Sequence, residues 1–172
     1  MLIPMKKEVF ENMDDSALGA ACFDPFIPSI RGKDIKVKEE LYQKLTTGQK
    51  ALFMFKAFYN HANKSLAEFY WWSVYYYAQP TSWSGIKNGL KYFGAEDFYS
   101  LIQQIENVLV AREFPTSLEE FAVSYNDIDK DPGLAAAIEP LHKLFIEISP
   151  ATLKIIGEKI RSNPNEFIKF AE

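Results

Sequence analysis

The chain has 172 residues and a mass of 19.7 kDa, with 48% hydrophobic and 24% charged residues. That excludes a disordered tail and sets the scale of one domain with a core of its own. Its 19 basic and 23 acidic residues leave a net charge of −4 and a pI near 5.3, which argues against direct nucleic-acid binding.

Cys22 is the sole cysteine, so neither an internal disulfide nor a cysteine zinc site can form. The first residues, Met1 to Lys7, are followed at once by Glu8, Glu11, Asp14 and Asp15, which breaks the apolar run a secretory signal needs. No window holds the ~20 uncharged apolar residues of a membrane span. These features predict a cytoplasmic protein.

Residues 1–33 show no clean period. Pro4, Pro25, Pro28 and Gly32 interrupt them, and the pattern predicts an irregular N-terminal arm, with a short helix near 5–14. Its Phe10, Phe23, Phe26 and Ile27 would dock on a helical domain spanning 34–172. In that domain Asp34 can cap a helix over 36–45. Gln49 to Ala62 places Leu52, Phe55, Phe58, Tyr59 and Ala62 on one arc. Asn63 or Ser65 can open the next helix, Ser65 and Glu68 having capping-box spacing, and it runs to Ala78, before Pro80. Ser82 can cap Trp83–Phe93, closed by Gly94. Glu96–Arg112 is the clearest amphipathic helix. Thr116 and Glu119 repeat the capping signal for Ser117–Tyr125. Asp131-Pro132, Ser149-Pro150 and Asn163-Pro164 predict three starts, for helices over 132–147, 150–162 and 164–171, with Pro140 kinking or splitting the first. Strand signals are nearly absent. The expectation is an all-α fold of eight or nine short helices in a single globular domain.

Between Phe69 and Trp83, eight of fifteen residues are aromatic, including all three tryptophans. On a helix, Leu66, Phe69, Tyr70, Ser73, Tyr76 and Tyr77 fall on one face. Glu68, Trp71, Trp72 and Tyr75 fall on the other. A helix apolar all round is normally central in a core. Yet each large aromatic carries ~150–250 Å², so three exposed ones would form a patch at the upper limit for a soluble monomer. That second face is therefore covered by the chain itself, with the arm as the candidate cover, or it is where something binds. Trp and Tyr are favoured binding hot spots. The candidate binding residues are Asn63, Glu68, Trp71, Trp72, Tyr75 and Trp83.

Chemistry is harder to find. His61 and His142 lack a metal-binding spacing, and His61 reads as a half-buried helix residue. Asp127-x-Asp129-x-Asp131 begins like a calcium loop, but Pro132 stands at position six and Ile138 at position twelve. It reads as a helix-to-helix turn with Asp131 as a cap. No nucleophile elbow, dinucleotide fingerprint or phosphate loop occurs. No catalytic residue, cofactor or metal ligand is assigned.

Three stretches carry a resemblance: Asn63-Lys64-Ser65-Leu66-Ala67-Glu68-Phe69-Tyr70, Leu90-Lys91-Tyr92-Phe93-Gly94-Ala95, and Ile160-Arg161-Ser162-Asn163-Pro164-Asn165-Glu166-Phe167. Over about residues 40–170 the chain resembles a bacterial all-helical family of mostly uncharacterised proteins related to the DNA-mimic protein. That family's text runs Asn-Gly-Gly, then Gln and two aromatics, with a later aliphatic-Gly-Ala. Here Lys64 and Ser65 replace the glycines and Glu68 the glutamine. The resemblance implies a helical protein-binding module with no family-wide catalysis; the missing catalytic text and the concentration of aromatics lead to the expectation of a regulatory or immunity-type role. A net charge of −4 does not supply the dense acidic surface of DNA mimicry. The expected partner is a protein, the expected state monomer or homodimer. The alternative is a small-molecule binder or hydrolase with an aromatic-lined pocket, using Glu68 and His61 as its polar groups.

Overall fold

Thr46 begins the helix on which the others are assembled. Its hydroxyl accepts the Gln49 amide, and the Gln49 side chain accepts the Thr46 amide in return, so two orphan donors are satisfied at once. The computed structural model describes residues 1–171; residue 172, the last of the expected helical domain, lies outside the described residues. The elements in chain order are β1 (Ile3–Lys6), α1 (Lys7–Asn12), α2 (Asp15–Phe23), α3 (Ile27–Ile30), α4 (Ile35–Gln43), α5 (Thr47–Ala62), α6 (Leu66–Tyr77), α7 (Pro80–Phe93), α8 (Glu96–Ala111), α9 (Asp127–Lys130), α10 (Pro132–Ser162) and β2 (Ile168–Ala171). Short 3-10 turns at Asp24–Phe26 and Pro164–Glu166 complete them. The fold is all-α, one domain. No helix among the described residues is long and apolar enough to cross a membrane.

The core is built from phenylalanines given by four helices. Phe58 of α5, Phe69 of α6, Phe98 of α8 and Phe145 of α10 are fully buried and meet at Phe145, with ring centroids 6.4, 5.2 and 5.6 Å away. Edge-on and tilted contacts of this kind add to simple area burial. α5 packs on α6 and α7, while α10 packs on α2 and α8.

Several local expectations hold. Asp34 caps α4 through the Val37 amide, Ser65 caps α6 through the Glu68 amide, and Asp131 caps α10 through the Leu134 amide. Gly94 closes α7 with φ of +70°.

Others are corrected. α10 is one helix of 31 residues and passes through both Pro140 and Pro150. An interior proline costs about 3 kcal/mol. Here both prolines lie on the solvent side, and Leu134, Ile138, Leu141, Phe145, Thr152, Ile156 and Ile160 form one unbroken buried stripe that outweighs the lost backbone bonds. Ser149 therefore caps nothing; its hydroxyl bonds back to the Phe145 carbonyl within the helix. α7 starts at Pro80, before the expected cap Ser82. No helix forms over 117–125, where Ser117 accepts the Glu119 amide in a local turn. The last expected helix, 164–171, is a 3-10 turn followed by β2.

The N-terminal segment carries more regular structure than its pattern suggests. β1 pairs in parallel with β2, Ile3 opposite Ile168. α2 buries Leu18, Cys22 and Phe23 between α10 and α5. Gly157 permits this approach, because a Cβ there would overlap the Asp15 carbonyl. Arg161 fastens the segment: its guanidinium donates to Asp15 Oδ1 at 2.7 Å, the Phe10 carbonyl at 2.9 Å and the Met13 carbonyl at 2.7 Å. Residues 1–33 are thus part of the body and do not cover the aromatic face of α6.

Candidate binding groove

α6 buries Phe69, Tyr70, Ser73, Val74 and Tyr77, most of the face assigned to the core. Its second face splits into two functions. Trp71 turns toward residues 113–126. It stacks on Tyr75 and Tyr125 at 5.1 and 5.2 Å, meets Phe121 edge-on, and donates its indole N–H to the Val123 carbonyl at 3.1 Å. This is the cover expected of the arm, and it explains the missing helix. Phe121, Val123 and Tyr125 satisfy Trp71 in place of a helical turn. Tyr70 fastens the same segment further on, through Asp127 Oδ2 at 3.1 Å.

Trp72 turns the other way. Its ring stacks on His61 with centroids 3.8 Å apart and planes 18° off parallel. Its indole N–H donates to Glu68 Oε2 at 2.7 Å. Trp72 and Tyr75, joined by Tyr76, form one wall of a groove of about 950 Å³. Tyr76 serves both faces: it lines this wall and meets the buried Phe58 edge-on from the core side, with ring centroids 6.2 Å apart. The floor is the outer side of α5, with Phe53, Met54, Ala57 and His61; the opposite wall is α4. Lys36, Lys38, Glu39 and Glu40 supply its charged rim. Neither a closed cavity nor a flat patch, this is an open channel with an aromatic wall.

The electrostatics follow from partial burial. His61 is held below its ordinary value of 6.5 by burial first and by Lys64 next, against an opposing pull from Glu68, with Lys38 adding least. Tyr76 is pushed up by burial and then by Tyr75. Both groups are therefore uncharged in the groove at neutral pH.

Of the six candidate residues, Trp72 and Tyr75 line the groove and Glu68 orients Trp72 from behind. Trp71 clamps the 113–126 segment. Asn63 is exposed at the C-terminal end of α5. Trp83 is a core residue against Tyr77, 5.9 Å away, with its indole N–H buried and unpaired. Sequence reasoning missed Phe53, Met54 and Ala57. Their spacing with His61 marks a second apolar stripe on α5, beside the core arc.

A second hollow of about 480 Å³ lies under the 113–126 segment, where Arg112 pairs with Asp131 at 2.6 Å. Asp131 and Asp127 are both engaged within the fold, by Arg112 and the Leu134 amide and by Tyr70 and the Ser124 amide. Among the described residues no group of three or more His, Cys, Asp or Glu is placed to hold a metal ion.

No family model, curated protein or solved structure matches the chain.

Proposed function

We propose that the chain is a non-catalytic protein-binding module, of regulatory or immunity type, that receives an amphipathic helix of a partner protein in the α4–α5–α6 groove. One observation carries this reading: an open channel of about 950 Å³ with Phe53, Met54, Trp72, Tyr75 and Tyr76 inside and charges of both signs along its edge. An apolar centre with a polar rim is how protein interfaces are laid out. Grooves of this form accept apolar residues spaced three and four apart on a helix. Trp and Tyr in the lining are the types that contribute most when buried by a partner. The resemblance to the helical family related to the DNA-mimic protein agrees with a binding role, since it implies a protein-binding module. A cytoplasmic setting suits the single free, buried thiol of Cys22.

The alternative is a small-molecule binder or hydrolase that uses His61 as a polar group in the same groove. Affinity capture from the native host, followed by titration of the purified captured protein and of peptides spanning its helices, separates the two. An amphipathic peptide is expected to bind the wild type, to lose at least about tenfold in affinity with Trp72→Ala and with Met54→Glu, and to keep it with Val110→Lys on α8, outside the groove. Unchanged peptide affinity in both groove variants overturns the reading, as does a groove that takes a small molecule and no polypeptide.

A further inference from the structure

The groove has one wall unlike the others. α5, α6 and α7 are locked together by the core. α4 is attached at one end. The apolar side chains along it and just beyond grade from open to closed: Ile35 is 67% exposed, Val37 38%, Leu41 8% and Leu45 5%. Of the nine residues of α4 itself, only Leu41 is buried. Tyr42 adds an edge-on contact with Phe53 at 5.7 Å, and Lys50 sits 5.5 Å from the Tyr42 ring. All of these contacts lie in the second half of the helix. Among the described residues, no side-chain hydrogen bond or ion pair ties 35–43 to another element.

The segment that leads into α4 is held only by its own turn, with the Arg31 amide on the Ile27 carbonyl and the Lys33 amide on the Ile30 carbonyl. Residues 31–34 are all exposed, and Gly32 has φ of +68° with open space around it. A helix held by its last turn and fed by an exposed glycine-containing link has a pivot and the freedom to use it. Its loose first turn carries Ile35, which faces the groove. Moving that turn inward would take Ile35 out of water and cover Trp72, Tyr75 and Tyr76, so apolar burial favours the movement.

We propose that α4 is a hinged lid that pivots at Leu41–Leu45 and closes its first turn over the aromatic groove. The structure holds the open form. The lid rests on the reading of the groove as the working surface, but it is a property of the free protein and is tested without a partner.

Spin labels at Lys36→Cys on the lid and Thr81→Cys in the first turn of α7, which also lines the groove, report the gap by pulsed dipolar spectroscopy. Both positions are exposed. Cys22 does not take label, being fully buried with its thiol pushed up to about 12 by burial. The expected result is two distances, with the shorter population falling by about threefold or more when Ile35→Asp is added. A control pair on the packed α7 and α8, Asn88→Cys with Gln104→Cys, is expected to give one narrow distance. A single narrow distance for the lid pair, or two populations that ignore Ile35→Asp, overturns the lid. If peptide titration fails while two distances persist, the groove's assignment falls and the lid stands; if a peptide binds a chain with one distance, the lid alone falls.

Discussion

Trp72 donates its indole N–H to Glu68, one turn back on the same helix, while its ring lies flat on His61. Glu68 stands at the third position of α6, where a capping box would send its carboxylate to the backbone of Ser65. It is engaged by the indole instead. Glu68→Ala should cost about 1.5–3 kcal/mol, the range for a hydrogen bond to a charged group. Glu68→Gln, which keeps an acceptor, should cost roughly half as much. Urea unfolding gives the energies, and a red shift of tryptophan emission in the Ala variant reports the freed ring. Equal stability of both variants and wild type would remove Glu68 as the residue that fixes Trp72.

Arg161 is a three-way fastener for the N-terminal segment. A planar fork reaches Asp15 and the carbonyls of Phe10 and Met13 together, and its face lies 5.2 Å from the Phe10 ring centre. Lysine cannot reproduce that geometry. Arg161→Ala should lose about 2–3 kcal/mol, and Arg161→Lys most of that. Hydrogen exchange should accelerate first over residues 3–15. Full rescue by lysine would show that charge alone holds the segment.

Two glycines at the same interface should behave in opposite ways. Gly157→Ala drives a methyl group into the Asp15 backbone, which cannot yield without lifting α2 off α10. A loss of about 3 kcal/mol or more is expected. At Gly19 the new methyl would meet Ile156 at 3.4 Å, an ordinary contact, and alanine favours the helix by about 1 kcal/mol. Gly19→Ala should be neutral or stabilising. Thermal unfolding of the two variants decides the matter.

Acid should destabilise the protein in two stages. Burial holds His61 and His142 below 6.5, so the unfolded chain takes up protons first as the pH falls. Their contribution is complete above pH 6.5 and is lost as the pH drops through the folded values. Asp14 is held below 3.8 by the Ser16 hydroxyl and amide, and Asp131 by the Leu134 amide and Arg112. Their contribution is present above pH 3.8 and fades below it. Urea midpoints at pH 8, 6.5, 5 and 3 trace both stages. Replacing both histidines by Phe should flatten the first stage and leave the second; an unchanged first stage would assign it to other groups.

What could be read in the residues was local. Asp34, Ser65, Gly94 and Asp131 act at the helix ends where their chemistry places them, because capping is settled within a few residues. The aromatic run was also legible as a helix with two greasy faces. Its division was not: whether Trp71 meets Tyr125 and Trp72 meets His61 depends on where residues 113–126 travel. The prolines of α10 misled for the same reason. Their local cost is real, but the stripe from Leu134 to Ile160 that overrides it is rewarded only by distant elements, chiefly α2 and α8, with α5 and α6 meeting it at Phe145. The strands at the two ends have no local signal, since neither is stable without its distant partner.

That pairing has a consequence for assembly. Ile3 lies beside Ile168, so the strand over residues 3–6 has no partner until residues 168–171 have been made. The seam sets residues 3–6 and 168–171 side by side at one pole. A short linker between those ends should leave the helical body undisturbed, and new termini could be opened in the exposed link at residues 31–34.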